Sequence, residues 1–212
     1  PVQSLSRFIG EEKKGDFYRI YHPLSGDLSY SSLFKNGQLL KKKKIFLPGQ
    51  AKYFETFFTT LGWLKFLPKE IDLAIGMNCF DTAALLVAKK VRAKKLSQII
   101  FFNTDFSRHR FQNLILEKIY LGLDRFSAKE ADFLCVNTQR TVRARIKEGI
   151  KKDKIIYTPN GVFLKDIGII KEKKEFSHEL VYVGRLDRDH DLKAVFRALS
   201  KVDLKLFIIG SG

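Results

Sequence analysis

The residues best suited to chemistry in this chain are Gly184-Arg185 and Gly210-Ser211-Gly212, each at the end of an apolar run. Glycine lets another backbone or a ligand approach closely. Arginine beside it offers a planar, permanently charged fork to phosphate oxygens. The order is a turn at YTPNG from Tyr157, the strand-like run Leu180 to Val183, an amphipathic helix, and the second run LKLFII. Leu192, Val195, Phe196 and Leu199 give that helix one apolar stripe. Its start, near Asp189 or Asp191, points free N–H groups to the same side as the strand ends. In open α/β sheets the carboxyl ends of the strands face the ligand crevice. The arrangement therefore suits a phosphate-bearing ligand. The plain alternative is an ordinary strand–helix–strand unit with a surface arginine.

A second cluster follows Phe102 and reads Asn103-Thr104-Asp105-Phe106-Ser107-Arg108-His109-Arg110. Asp105 suits a ligand hydroxyl, and Arg108, His109 and Arg110 suit a phosphate. Equally, Asp105 or Ser107 would serve as the N-cap of a long helix, with the basic residues in solvent. His22, before Pro23, either lines a crevice or is a turn residue. His178 falls in a charged stretch, and Asn160-Gly161 reads as a sharp turn.

These residues need elements to position them. Helical spacing appears at Val2 to Glu12, Phe54 to Leu64, Ala83 to Lys90, Phe111 to Ser127 and Gln139 to Glu148. Strand-like runs are Phe17 to Tyr21, Ser29 to Phe34, Gln38 to Phe46, Ile71 to Ile75, Gln98 to Phe102, Phe133 to Val136 and Ile155 to Tyr157. Asn36-Gly37 between two of them signals a hairpin. Gly149 is placed to end a helix. Strands alternating with helices predict an α/β fold with a parallel sheet covered on both faces. A charged, aperiodic stretch divides it: an N-terminal Rossmann-like domain over 1–162, a linker over 163–178, and the start of a second Rossmann-like domain over 179–212. The second is too small to bury a sheet, and both ends read as cut.

Composition narrows the partners. The 212 residues carry 39 Lys and Arg against 23 Asp and Glu, a formal net charge of +16. That surplus favours nucleic acid, phosphorylated substrates or acidic lipid headgroups without choosing among them. Cys79 and Cys135 lack metal spacing and read as buried thiols of a reducing cytoplasm. No apolar run approaches the roughly 18 residues of a membrane span.

PNGV, the charged stretch, VYVGRL, the amphipathic helix and LKLFIIGSG resemble the central part of the family 4 glycosyltransferases, most specifically over residues 155–212. DLAIG, IIFFNTDF and ADFLCVNT extend the resemblance more loosely to the first unit. It implies the GT-B architecture, two Rossmann-like domains flanking a cleft. It implies transfer from a nucleotide-sugar to a glycan or lipid-linked acceptor, as in polysaccharide biosynthesis, with retention of configuration and no cofactor or metal. It assigns the donor diphosphate to Arg185, with Gly184, Gly210 and Gly212 at the strand ends. The family's lysine position falls on His190, and Lys193 lies one turn further on. Asp105 matches the aspartate of a family His-Asp pair, but Thr104 stands where the histidine would be. Arg185 and Asp105 are thus the implied catalytic groups, and Asp105, Arg108 and His109 the acceptor side. The family's paired-glutamate segment would come after Gly212, so residues 1–212 alone are expected to be inactive.

Other patterns remain. Lys41 to Lys44 reads as an edge strand guarded by lysines. Arg140, Arg143, Arg145 and Lys147 load one helix with positive charge. The Phe-rich segment Ala51 to Leu67 is either core or, beside a cationic surface, a contact with an anionic membrane at the inner face of the plasma membrane. A non-enzymatic nucleic-acid-binding protein is the alternative function, although no helix-turn-helix, zinc-finger or RNP-type motif is legible and no specific nucleic acid is expected. A nicotinamide dehydrogenase would need Gly-x-Gly-x-x-Gly after its first strand, and Gly184-Arg185-Leu186 lacks the second glycine.

Overall fold

The computed structural model describes residues 15–22, 30–47, 52–104, 106–108, 110–161, 180–184, 186 and 192–210. The helix expected over Val2 to Glu12 lies outside them. The chain divides into two compact units, Pro1–Gly161 and Val162–Gly212.

The first unit opens with an antiparallel sheet of β1 (Tyr18–Tyr21), β2 (Tyr30–Lys35) and β3 (Gln38–Lys44), in that order. Asn36 and Gly37 both take positive φ, 49° and 86°, as a tight hairpin turn demands. The Asn36 side chain accepts from the Phe17 backbone N–H at 2.7 Å and so ties β1 to the turn. β3 is an edge strand, with Lys41 to Lys44 all exposed. Helix α1 (Lys52–Leu64) follows and buries Thr56, Thr59, Thr60, Trp63 and Leu64. Its Trp63 indole N–H donates to Ser31 Oγ, joining helix to hairpin.

Next comes a parallel sheet of β4 (Glu70–Gly76), β5 (Lys95–Asn103), β6 (Phe133–Val136) and β7 (Ile155–Tyr157). Helices α2 (Cys79–Lys90), α3 (Leu114–Glu130) and α4 (Gln139–Lys147) form the crossovers. The order β4-β5-β6-β7 is monotonic, so these four strands contain no point where strand order reverses. A parallel sheet flanked by helices is the α/β arrangement expected. Cover is densest over the central strands: Ile99, Phe101, Leu134, Cys135 and Val136 are buried. On the edge strands Leu73, Ile156 and Tyr157 stay exposed, so the cover expected on both faces does not reach the sheet margins. Cys79 and Cys135 are buried free thiols.

Each crossover helix starts on a side-chain cap. Asn78 accepts from the N–H groups of Phe80 and Asp81, and Thr138 from Thr141. Asn113 accepts from Ile115 and Leu116. The long helix α3 thus begins at Leu114, not Phe111. The ring of Phe111 is buried in the core, and Glu117 accepts from the Phe111 N–H at 2.8 Å. The N-cap is Asn113 and not Ser107, which corrects that alternative, while Asp105 lies outside the described residues.

The second unit holds β8 (Leu180–Val183), α5 (Leu192–Leu199) and β9 (Leu206–Ile209), with β8 and β9 parallel. None of its described residues is buried. A sheet of two strands offers too little apolar cover to form a core by itself.

Gly76 closes β4 against the first turn of α2. A Cβ there would lie 2.8 Å from the Thr82 backbone N and Cα, closer than real contacts allow. Gly76→Ala should therefore cost about 1–3 kcal/mol, read as a lower urea midpoint at unchanged slope.

Candidate functional site

The loop after β5 is organised around one buried cation. Arg145, on α4, is 1% exposed. Its Nη1 and Nη2 donate to the two carboxylate oxygens of Asp124 on α3, at 2.5 and 2.8 Å. Nη1 also donates to Glu148 Oε2 at 2.9 Å. Asp124 accepts a further bond at 3.1 Å from Asn103, the last residue of β5. The Phe106 ring covers the guanidinium, 4.0 Å from its carbon. Burial alone would lower the Arg145 pKa, but Asp124 and Glu148 more than reverse this and raise it. Strand end, two helices and loop thus meet at a single ion pair.

Beside it lies a pocket of about 450 Å³ lined by Phe106, Arg108, Leu121, Asp124, Arg125 and Glu148. Arg108 reaches Glu148 Oε1 at 3.4 Å and is otherwise open to solvent. The walls combine an aromatic ring, carboxylates already held by Arg145, and the two outward arginines Arg108 and Arg125. Such a lining can stack a sugar ring, bond hydroxyls and hold an anionic group. Of the acceptor-side residues expected from sequence, Arg108 lines this pocket, while Asp105 and His109 lie outside the described residues. Of the four basic residues that load α4 with positive charge, Arg145 is buried. It follows Val142 by three residues, and Val142 packs on the core, so the guanidinium falls on the inward stripe. Asp124 likewise shares the buried stripe of Glu117, Tyr120 and Ser127. An acid on one inward stripe and a base on the next was a signal available in the sequence.

A second buried polar group joins the hairpin to the helices. His22 Nε2 lies 2.9 Å from Thr60 Oγ1, and that hydroxyl donates to Asp81 Oδ1 at 3.1 Å. Thr60 therefore accepts from the Nε2–H of a neutral His22. Asn78 donates to the other Asp81 oxygen. The His22 side chain is 5% exposed, and its Nδ1 is buried without a hydrogen-bond partner. The His22 side chain is thus a buried link from the hairpin to α1 and α2. Burial pushes the imidazole down to about 4. Burial pushes the Asp81 carboxyl up to about 7, against the hydrogen bonds from Thr60 and Asn78.

In the second unit, Gly184 and Gly210 follow the paired ends of β8 and β9. The Gly184 N–H donates to the Ile209 carbonyl at 3.0 Å. A Cβ on Gly210 would overlap the Gly184 carbonyl oxygen, and one on Gly184 would meet the Tyr182 hydroxyl at 2.9 Å. Backbone packing thus requires Gly210, whereas at Gly184 the Tyr182 side chain could swing aside. Lys193 sits exposed in the first turn of α5, which carries no acidic residue. A cation there opposes the helix dipole unless an anion is bound. Arg185, His190 and Gly212 lie outside the described residues.

Comparison with protein-family models finds no match, and comparison with curated proteins finds none.

Arg145→Met strands the Asp124 carboxylate and should cost about 3–5 kcal/mol in urea unfolding, and adding Asp124→Asn should recover much of that loss. For His22 and Asp81 the proton count decides. Between about pH 4 and 6.5 the folded pair holds a neutral imidazole and a protonated acid, the unfolded pair an imidazolium and a carboxylate. Both states hold one proton, so the pair leaves stability level with pH in that window. Asp81→Asn leaves only the depressed His22, so stability should rise with pH from 4 to 6.5. His22→Gln leaves only the raised Asp81, so stability should fall as pH climbs from 4 to 7. Each slope should approach ~1.4 kcal/mol per pH unit, measured by urea titration across the series.

Proposed function

We propose that the protein is a glycosyltransferase of the GT-B type, moving a sugar from a nucleotide-sugar to a glycan or lipid-linked acceptor. The observation that carries this is the pair of parallel strands β8 and β9, both ending in glycines whose backbones touch, with Lys193 in the first turn of the connecting helix. Close backbone and a cation opposed to its own helix dipole form a site that a diphosphate would complete. In the sequence, Arg185 comes directly after Gly184.

In this reading Gly184, Arg185, His190, Lys193, Gly210 and Gly212 hold the donor. A protonated His190 takes the place of an ammonium, and the diphosphate raises its pKa. Arg185 stabilises the charge that grows on the diphosphate as its bond to the sugar breaks. The acceptor oxygen bonds the sugar carbon on the same face, and its proton passes to an oxygen of the departing diphosphate. The acceptor occupies the first unit, where Arg108 and Arg125 flank the pocket beside Phe106. Asp105, His109 and Arg108 assist it from the same loop.

Calorimetric titration of the full chain with uridine, guanosine and adenosine diphosphate sugars tests this. One donor class should bind, and Arg185→Ala should weaken that binding roughly tenfold to hundredfold. In a transfer assay of the complete enzyme the same change should lower kcat about a hundredfold. Unchanged binding and unchanged transfer would reject the assignment.

A further inference from the structure

We propose that the edge of the first unit formed by residues 41–47 and the outer side of α1 seats on an anionic lipid bilayer. Ile45 turns inward and is buried, which leaves Phe46 71% exposed and Leu47 exposed beside it. The backbone N–H groups of both donate to Glu55 in the first turn of α1, at 2.7 to 3.0 Å. Phe58 is one turn further along that face and is 69% exposed. Gly62 and Lys65 continue the same stripe. At the far end Phe66 is exposed, with the ammonium groups of Lys41 and Lys65 at 3.8 and 4.9 Å from its ring centre. The strand between these ends is Lys41 to Lys44, wholly exposed.

Edge guarding explains the lysines. It does not explain four large apolar side chains in water beside them, since a guarded edge needs no apolar rim. Charge selects the occupant. A second copy would bring like-charged lysine strands together, and a nucleic-acid duplex has no use for exposed Phe and Leu side chains. An anionic bilayer takes both, phosphate at the headgroups for lysine and acyl boundary for Phe46, Leu47 and Phe58. No helix among the described residues is long and apolar enough to cross a membrane, so the contact is peripheral. It stands independently of the proposed transfer reaction.

Flotation of the full chain with vesicles tests it. The protein should float at low salt with mixed phosphatidylglycerol–phosphatidylcholine vesicles and stay behind with phosphatidylcholine alone. Lys43→Glu with Lys44→Glu should lower partitioning at least about tenfold. Phe46→Ser with Phe58→Ser should lower it about tenfold as well, with circular dichroism and the urea midpoint unchanged. As a second reading of insertion, Phe46→Trp should shift its emission to the blue when anionic vesicles are added, against the constant signal of buried Trp63. Failure to float at low salt would overturn the proposal. So would binding that follows the lysines but ignores the phenylalanines, because charge alone would then account for it.

Discussion

One buried ion pair fixes the architecture of the first unit. Taking a guanidinium and a carboxylate out of water costs several kcal/mol each. The cost is offset here by a bidentate pair between Arg145 and Asp124, a third bond to Glu148 and a fourth from Asn103 to Asp124, while Arg145 Nε and Asn103 Oδ1 stay buried without a partner. These bonds join the end of β5 to α3 and α4. They also hold the pocket-lining carboxylates against Arg145, so the outward cations Arg108 and Arg125 set the sign of the opening. Without the pair, the loop after β5 would have no fixed wall to run along.

The His22 link does a similar task between hairpin and helices with no net charge. Between about pH 4 and 6.5 folding in effect moves a proton from the imidazole to the Asp81 carboxyl, so that two groups ionised in the unfolded chain are both neutral in the fold. That is the cheaper solution where only one hydroxyl, Thr60, lies between them. Arg145 cannot take this route because its pKa is too high to give up the proton, and it needs carboxylates instead.

Local signals in the sequence carried most of the fold. Asn36-Gly37 specifies its hairpin because both positions need positive φ, and Gly149 ends α4 at φ 84° for the same reason. The apolar runs at Phe133 to Val136, Ile155 to Tyr157 and Leu180 to Val183 are strands over those same residues. What was not legible depended on partners distant in sequence. Phe111 reads as helix from its spacing, yet Glu117 and the Asn113 cap place it before the helix. Arg145 and Asp124 are polar by type and inward by position, so a reading by residue type counts Arg145 only among the charges of its helix and passes over Asp124. His22 and Asp81 are 59 residues apart by their numbers, and nothing local joins them. Gly184 and Gly210 were legible as glycines that some close approach requires. That Gly210 is required by the Gly184 backbone appears only in the packing.

The central claim is that the strand ends after β8 and β9 receive the diphosphate of a sugar donor. The most direct measurement is a titration of the ¹⁵N-labelled full chain with a panel of nucleotide sugars, followed by amide chemical shifts. The account predicts saturable shifts at Gly184, Lys193 and Gly210 with one donor class, and none with the free sugar. Shifts confined to the lysine strand of the first unit, or no saturable shift at those three amides with any donor, would contradict it.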